Sequence, residues 1–128
     1  MDIAKVRDFW MEEAAEALQA AWHLHEKKDY SYALFFGHLA VEKILKALYA
    51  VRKGEQSPYI HNLVRLAALS DIPLSSGQKM LLIQITDFNL EARYPDEKRS
   101  FRKKCTEDFT KDMLNKTEEV FQWLKSML

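Results

Sequence analysis

The sequence predicts an all-α fold, a single up-and-down bundle of five helices over residues 1–128, and three observations predict it. Glycine and proline occur only three times each, too rarely to punctuate the many short strands of a β protein. The long apolar runs follow the three-and-four spacing of a helix face rather than the alternation of a strand. Hydrophobic residues make up 48% of the 128, enough for one core that folds without disulfide or metal staples.

From Asp2 to about Lys27, apolar residues recur at Ile3, Val6, Trp10, Ala14, Ala17, Ala21 and Leu24, one stripe of a long first helix. Asp29 is placed to cap a second helix that runs to about Lys53, where Gly54 supplies a left-handed stop, so the two helices form an antiparallel hairpin. Ser57-Pro58 forces a loop, because proline pushes its predecessor out of helical geometry. A short helix follows near His61 to Ser70, with Leu63, Leu66 and Ala67 toward the core. After a turn from Asp71 to Gly77, Met80, Leu81, Leu82, Ile83, Ile85 and Phe88 leave little polar surface, which predicts a central fourth helix. Tyr94-Pro95 ends it or follows its end, and a charged connection leads to Thr106. That residue is an N-cap, with Glu107 and Asp108 placed to complement the dipole of the last helix. The final stripe is Phe109, Met113, Thr117, Val120, Leu124 and Met127.

Charge and cysteine content narrow the function classes. Lysine plus arginine and aspartate plus glutamate are balanced at 19 each, so attraction to phosphate has to come from local clusters. The lone Cys105 has no partner for an internal disulfide and fits a reducing compartment. The first residues show no signal-peptide core, and no apolar run approaches the roughly 20 residues that span a bilayer, so a cytoplasmic protein without membrane contact is expected.

Three constellations could carry chemistry. On the second helix His38, Glu42 and Lys46 follow one another at four-residue spacing and form one row. The row either lines a site, helped by small Gly37 and Ala40 that let a backbone or ligand come close, or is a solvent-facing stripe with one Glu–Lys pair. Arg93, in Arg93-Tyr94-Pro95-Asp96, offers a planar fork of donors for phosphate, with Tyr94 as an aromatic face for a base. The alternative is that Arg93 pairs with a carboxylate such as Glu42. Lys98, Arg99, Arg102, Lys103 and Lys104 surround Phe101 in the only basic cluster, which is either a polyanion contact or a solvated run flanked by acids. His23 and His25 point to opposite sides of a helix and cannot share an ion, no glycine-rich phosphate loop is present, and no nucleophile sits at recognisable spacing from a base. No metal, cofactor or catalytic residue is expected.

The stretch Phe35 to Tyr49, with Ala40-Val41-Glu42-Lys43-Ile44-Leu45-Lys46-Ala47 at its centre, resembles the signature helix of HEPN domains. The likeness extends through Pro58-Tyr59-Ile60-His61-Asn62-Leu63, Arg93-Tyr94-Pro95-Asp96 and the tryptophan-containing last helix, and so covers almost the whole chain. The resemblance implies a helical bundle, often a homodimer, associated with nucleotides or RNA, with a minimal nucleotidyltransferase partner, or with toxin–antitoxin pairs. Many members are metal-independent ribonucleases that use an arginine followed by four to six residues and a histidine. Here no histidine follows any arginine at that spacing. The expected function is therefore a non-catalytic module that recognises a nucleotide, RNA or a nucleotidyltransferase, through His38, Glu42, Lys46, Arg93, Tyr94, Arg99, Arg102, Lys103 and Lys104. The alternatives are a ribonuclease toxin with a non-standard site, pairing Arg93 with His38 or His61, and a purely structural dimeric interaction protein. His61 itself is read as a helix-start residue whose ring bonds locally.

Overall fold

A computed structural model describes residues 1–128 and contains six α-helices and no strand. The first two are α1 (Ile3–Glu26) and α2 (Tyr30–Lys53). Asp2 caps α1 by accepting from the Lys5 backbone N–H. Gly54 ends α2 at φ 67°, in the left-handed region that glycine enters without a Cβ penalty. The two long helices pack antiparallel through Ala14, Ala17, Leu18 and Ala21 against the buried side of α2.

The second helix, and not the fourth, is the centre of the bundle. From Ala33 to Ala50 nearly every residue of α2 is buried, because helices pack on it from several sides. Gly37 lies where α6 (Glu107–Lys125) comes closest: a Cβ there would stand 3.3 Å from both Leu114 Cδ2 and Thr117 Cγ2. The small residue thus admits another helix rather than a ligand.

The short α3 spans Leu63–Leu69 and begins two residues later than expected, capped by Asn62, whose side chain accepts from Arg65 N–H. Leu63, Leu66 and Ala67 are buried as read from the spacing. A capping box between Ser75 and Gln78 starts α4 (Ser76–Thr86). Only Leu82 and Ile85 of this helix are buried, while Met80 and Ile83 are 66% and 48% exposed, so α4 lies at the edge and turns an apolar stripe outward.

After a 3-10 turn at Leu90–Ala92, the charged connection is itself a helix, α5 (Pro95–Lys104). This sixth helix is the difference from the expected five. Proline at its first position needs no N–H partner, Asp96 and Glu97 sit at the positive end of the dipole, and Arg102, Lys103 and Lys104 sit at the negative end. Its single buried residue, Phe101, packs near Phe88. Thr106 then caps α6 by accepting from Phe109 N–H.

Candidate functional site

The row His38, Glu42, Lys46 does not face water: the three residues are 0%, 3% and 7% exposed. An ion pair on a helix that is apolar all round is buried with it, and a buried charge needs partners. Glu42 receives two. Its Oε2 lies 3.2 Å from Lys46 Nζ, and its Oε1 accepts from His61 Nδ1 at 2.8 Å. Lys46 also sits over two rings, 4.8 Å from the centroid of Trp10 and 5.8 Å from that of Tyr59.

His38 Nε2 lies 3.3 Å from the backbone O of His61. A carbonyl only accepts, so the hydrogen-bond pattern assigns the proton to Nε2 and leaves Nδ1 a bare lone pair. That Nδ1 is buried without a partner. Burial holds the imidazole below its ordinary value, only partly opposed by the Glu42 carboxylate, so the neutral ring is the stable form. His61, 43% exposed at its side chain, therefore donates from its ring to Glu42 and accepts through its backbone from His38. Its ring bond spans nineteen residues of chain and is not local. Asn62 and not His61 starts the helix.

Arg93 stands elsewhere. Its Nε donates to the Asp87 backbone O at 3.0 Å, its Nη2 donates to the same oxygen, and its guanidinium stacks 4.5 Å above the Phe101 ring. The expected pairing with Glu42 is not formed, and no ion pair or hydrogen bond joins Arg93 to His38 or His61. The physical reason lies at the end of α4, whose last carbonyls have no partner within the helix; Arg93, six residues on, satisfies one of them. Glu42, for its part, already has Lys46 and His61.

Around Arg93 a cleft of about 240 Å³ opens between α4, α5 and α6, lined by Phe88, Phe101, Phe109, Asp87 and a second cation, Lys104. Lys104 Nζ sits 5.3 Å from the Phe109 ring centroid. Arg102 rests on Tyr32, with Nη2 3.3 Å from the hydroxyl, while Arg99, Lys103 and Tyr94 are exposed. None of Arg93, Lys98, Arg99, Arg102, Lys103 and Lys104 has a carboxylate within ion-pairing distance. Cys105, beside this cleft, is 6% exposed, and burial pushes its thiol up to about 11, so it stays a neutral thiol at neutral pH.

The nine residues singled out from sequence thus fall into two groups: a buried, internally paired row of three on α2, and five unpaired cations with Tyr94 on and just before α5. Sequence reasoning missed His61, Tyr59 and Trp10 as members of the first. The readable signal was Glu42 itself, a carboxylate in a run with no polar face, which has to be met by donors from other elements. No group of three or more His, Cys, Asp or Glu side chains converges to hold a metal ion, and no helix is long and apolar enough to cross a membrane.

Comparison with known proteins gives one family and one fold relative. The family model described as HEPN domain matches residues 8–127. The crystal structure of TT1696 from Thermus thermophilus superposes with a TM-score of 0.79 at 22% identity, over 95% of this chain and 98% of that one. No curated protein matches.

Proposed function

Because the chain belongs to the HEPN domain family, we propose that it acts as a non-catalytic binding module for a phosphate-bearing ligand, a nucleotide or a short stretch of RNA, held at the cleft between α4, α5 and α6. One observation carries this reading: Arg93 and Lys104, neither paired with a carboxylate, line a single cleft whose other walls include Phe88, Phe101 and Phe109. Cations whose charge is not neutralised within the chain are available to phosphate, and rings beside them supply apolar surface for a base. The guanidinium is already oriented, since its Nε and Nη2 are held by Asp87 O and its face by Phe101, so little side-chain entropy is left to lose on binding. Tyr94, 73% exposed at the start of α5, extends the aromatic surface.

Fluorescence anisotropy with labelled single-stranded RNA and competing mononucleotides at low salt tests the reading. Arg93→Ala and Lys104→Ala should each weaken binding about tenfold, the worth of one charge-assisted contact. Equal affinity of parent and variants, with helicity unchanged, would remove the cleft from consideration.

A second reading, docking of a minimal nucleotidyltransferase as in a toxin–antitoxin-like pair, is favoured by a different surface. Phe9 and Tyr59 are 53% and 86% exposed, Phe9 packs edge-on to Trp10, and Val6, Phe9, Trp10 and Gln56 line a depression of about 310 Å³. Exposed aromatics of this kind anchor protein interfaces. Co-purification from the native host after nuclease treatment, lost in Phe9→Ser, Tyr59→Ser, would support it.

A further inference from the structure

The start of α2 is left open. Asp29 stands at its N-cap without making a side-chain capping bond, and the backbone N–H groups of Tyr30, Ser31 and Tyr32 donate to no group of the chain. A 24-residue helix thus presents three free donors at the positive end of its dipole. With Lys28 and, from the last turn of α5, Arg102, these residues line a pocket of about 420 Å³. Water satisfies many helix ends, so the open start alone does not make a site. The deciding residue is Ser31. It is 7% exposed and lines the same pocket, yet its hydroxyl makes no hydrogen bond, whereas the buried hydroxyls of Ser70 and Thr117 each donate to the carbonyl four residues back. Nor is its Oγ among the orphaned atoms sealed inside the bundle, so it opens on the pocket. Arg102 is held beside this first turn of α2, with Nη2 3.3 Å from the Tyr32 hydroxyl and the guanidinium 5.7 Å from that ring's centroid, and no carboxylate pairs with it.

We propose that this pocket binds a phosphate monoester, its tetrahedral head seated on the three N–H groups, the Ser31 hydroxyl and the Arg102 guanidinium. Each of these groups donates, and phosphate oxygens accept. Asp29 sets the class of oxyanion. Its carboxylate shares the pocket without a capping bond or an ion pair, and two anions placed together repel unless a proton lies between them. A monoester has its second pKa near about 6, so part of its population carries that proton at neutral pH and below. Sulfate and the internal diester links of a nucleic-acid strand have none to share. The site therefore takes a terminal phosphate, free or on an organic group, and discriminates against the internal phosphates of a strand. Its walls share no residue with the Arg93 cleft, so the two sites stand or fall separately.

Amide NMR titrations of the full chain at about pH 6 test it, with inorganic phosphate, sulfate, a trinucleotide carrying a 5′-phosphate and the same trinucleotide ending in a 5′-hydroxyl. The N–H resonances of Tyr30, Ser31 and Tyr32 should move with phosphate, and sulfate should bind about tenfold more weakly. Ser31→Ala and Arg102→Ala should weaken phosphate binding by about threefold and about tenfold, with helicity unchanged. Asp29→Asn should bring sulfate level with phosphate, a gain that a folding defect does not produce. Tighter binding of the phosphorylated trinucleotide than of inorganic phosphate would support the site with a nucleic-acid end as its ligand. Equal or weaker binding would support it with free phosphate or a small monoester. Resonances of Tyr30 to Tyr32 that stay still, a parent that binds sulfate as well as phosphate, equal shifts with the two trinucleotides, or a Ser31→Ala, Arg102→Ala double variant that binds phosphate like the parent would each overturn the proposal.

Discussion

At the scale of single residues, Glu42 carries the heaviest duty. Its carboxylate is 3% exposed and holds an ammonium from its own helix and an imidazole from the loop before α3. Removing it leaves Lys46, 7% exposed, as an uncompensated charge. Glu42→Ala is expected to cost about 3–5 kcal/mol of stability in urea denaturation, the range for breaking one side of a buried pair. His38 gives the same locus a pH dependence. Burial sets its folded value below the ordinary one of about 6.5. In the window below 6.5 the unfolded chain binds a proton that the native ring refuses, and stability rises with pH wherever the unfolded state holds more protons. The native state is therefore fully favoured above about pH 7 and loses stability as pH falls through 6.5. His38→Gln keeps a donor for the His61 carbonyl without titrating, and should flatten that acid-side slope in denaturation curves measured from pH 7.5 to 5.

At the scale of elements, the approach of α6 to α2 at Gly37 is a close fit with a predictable response. Alanine there would gain about 1 kcal/mol of helix propensity, yet its Cβ would meet Leu114 Cδ2 and Thr117 Cγ2 at 3.3 Å. The Thr117 rotamer is pinned because its hydroxyl donates to Met113 O at 2.7 Å, so the methyl has little room to retreat. Gly37→Ala should be close to neutral or destabilise by about 1 kcal/mol, and Gly37→Val by about 3 kcal/mol or more, measured as thermal midpoints. Elements also divide by how readable they were. Helices α1 and α6, with an apolar stripe, and α2, with its Gly54 stop, were legible because periodicity and end signals are local properties, although Asp29, expected to cap α2, makes no side-chain capping bond. The α5 helix was not, since Phe101 is its only buried residue and a stripe of one has no period; its charges, ordered to suit the dipole, were the available clue. Periodicity likewise gave α4 as a helix but not its depth, because Met80 and Ile83 look the same in sequence whether neighbours cover them or not.

At the scale of the whole molecule, zero net charge separates local from global electrostatics. A strongly basic protein attracts polyanions over its whole surface, whereas here acids and bases cancel at 19 each. The Glu42–His61 contact was illegible in sequence for a related reason: it depends on where folding places a loop, and spacing along the chain says nothing about contacts nineteen residues apart. The cations of α5 were legible as a cluster, but only the coordinates showed that Arg93, Lys98, Arg99, Arg102, Lys103 and Lys104 are unpaired. Each phosphate that such a cation neutralises on a single strand contributes about −0.7 to the slope of log K against log salt. If affinity comes from α5 and Arg93 alone, engaging three to five of these cations sets a slope between about −2 and −3.5. Removing Arg102 and Lys103 together should reduce it by up to about 1.4, while replacing Lys5 and Lys125, far from the cleft, should leave it unchanged. Anisotropy titrations at four or more salt concentrations give these slopes. A slope that falls equally for both double variants would place the attraction in the diffuse field of the molecule, and a slope near zero would mean that phosphate is not what the cleft recognises.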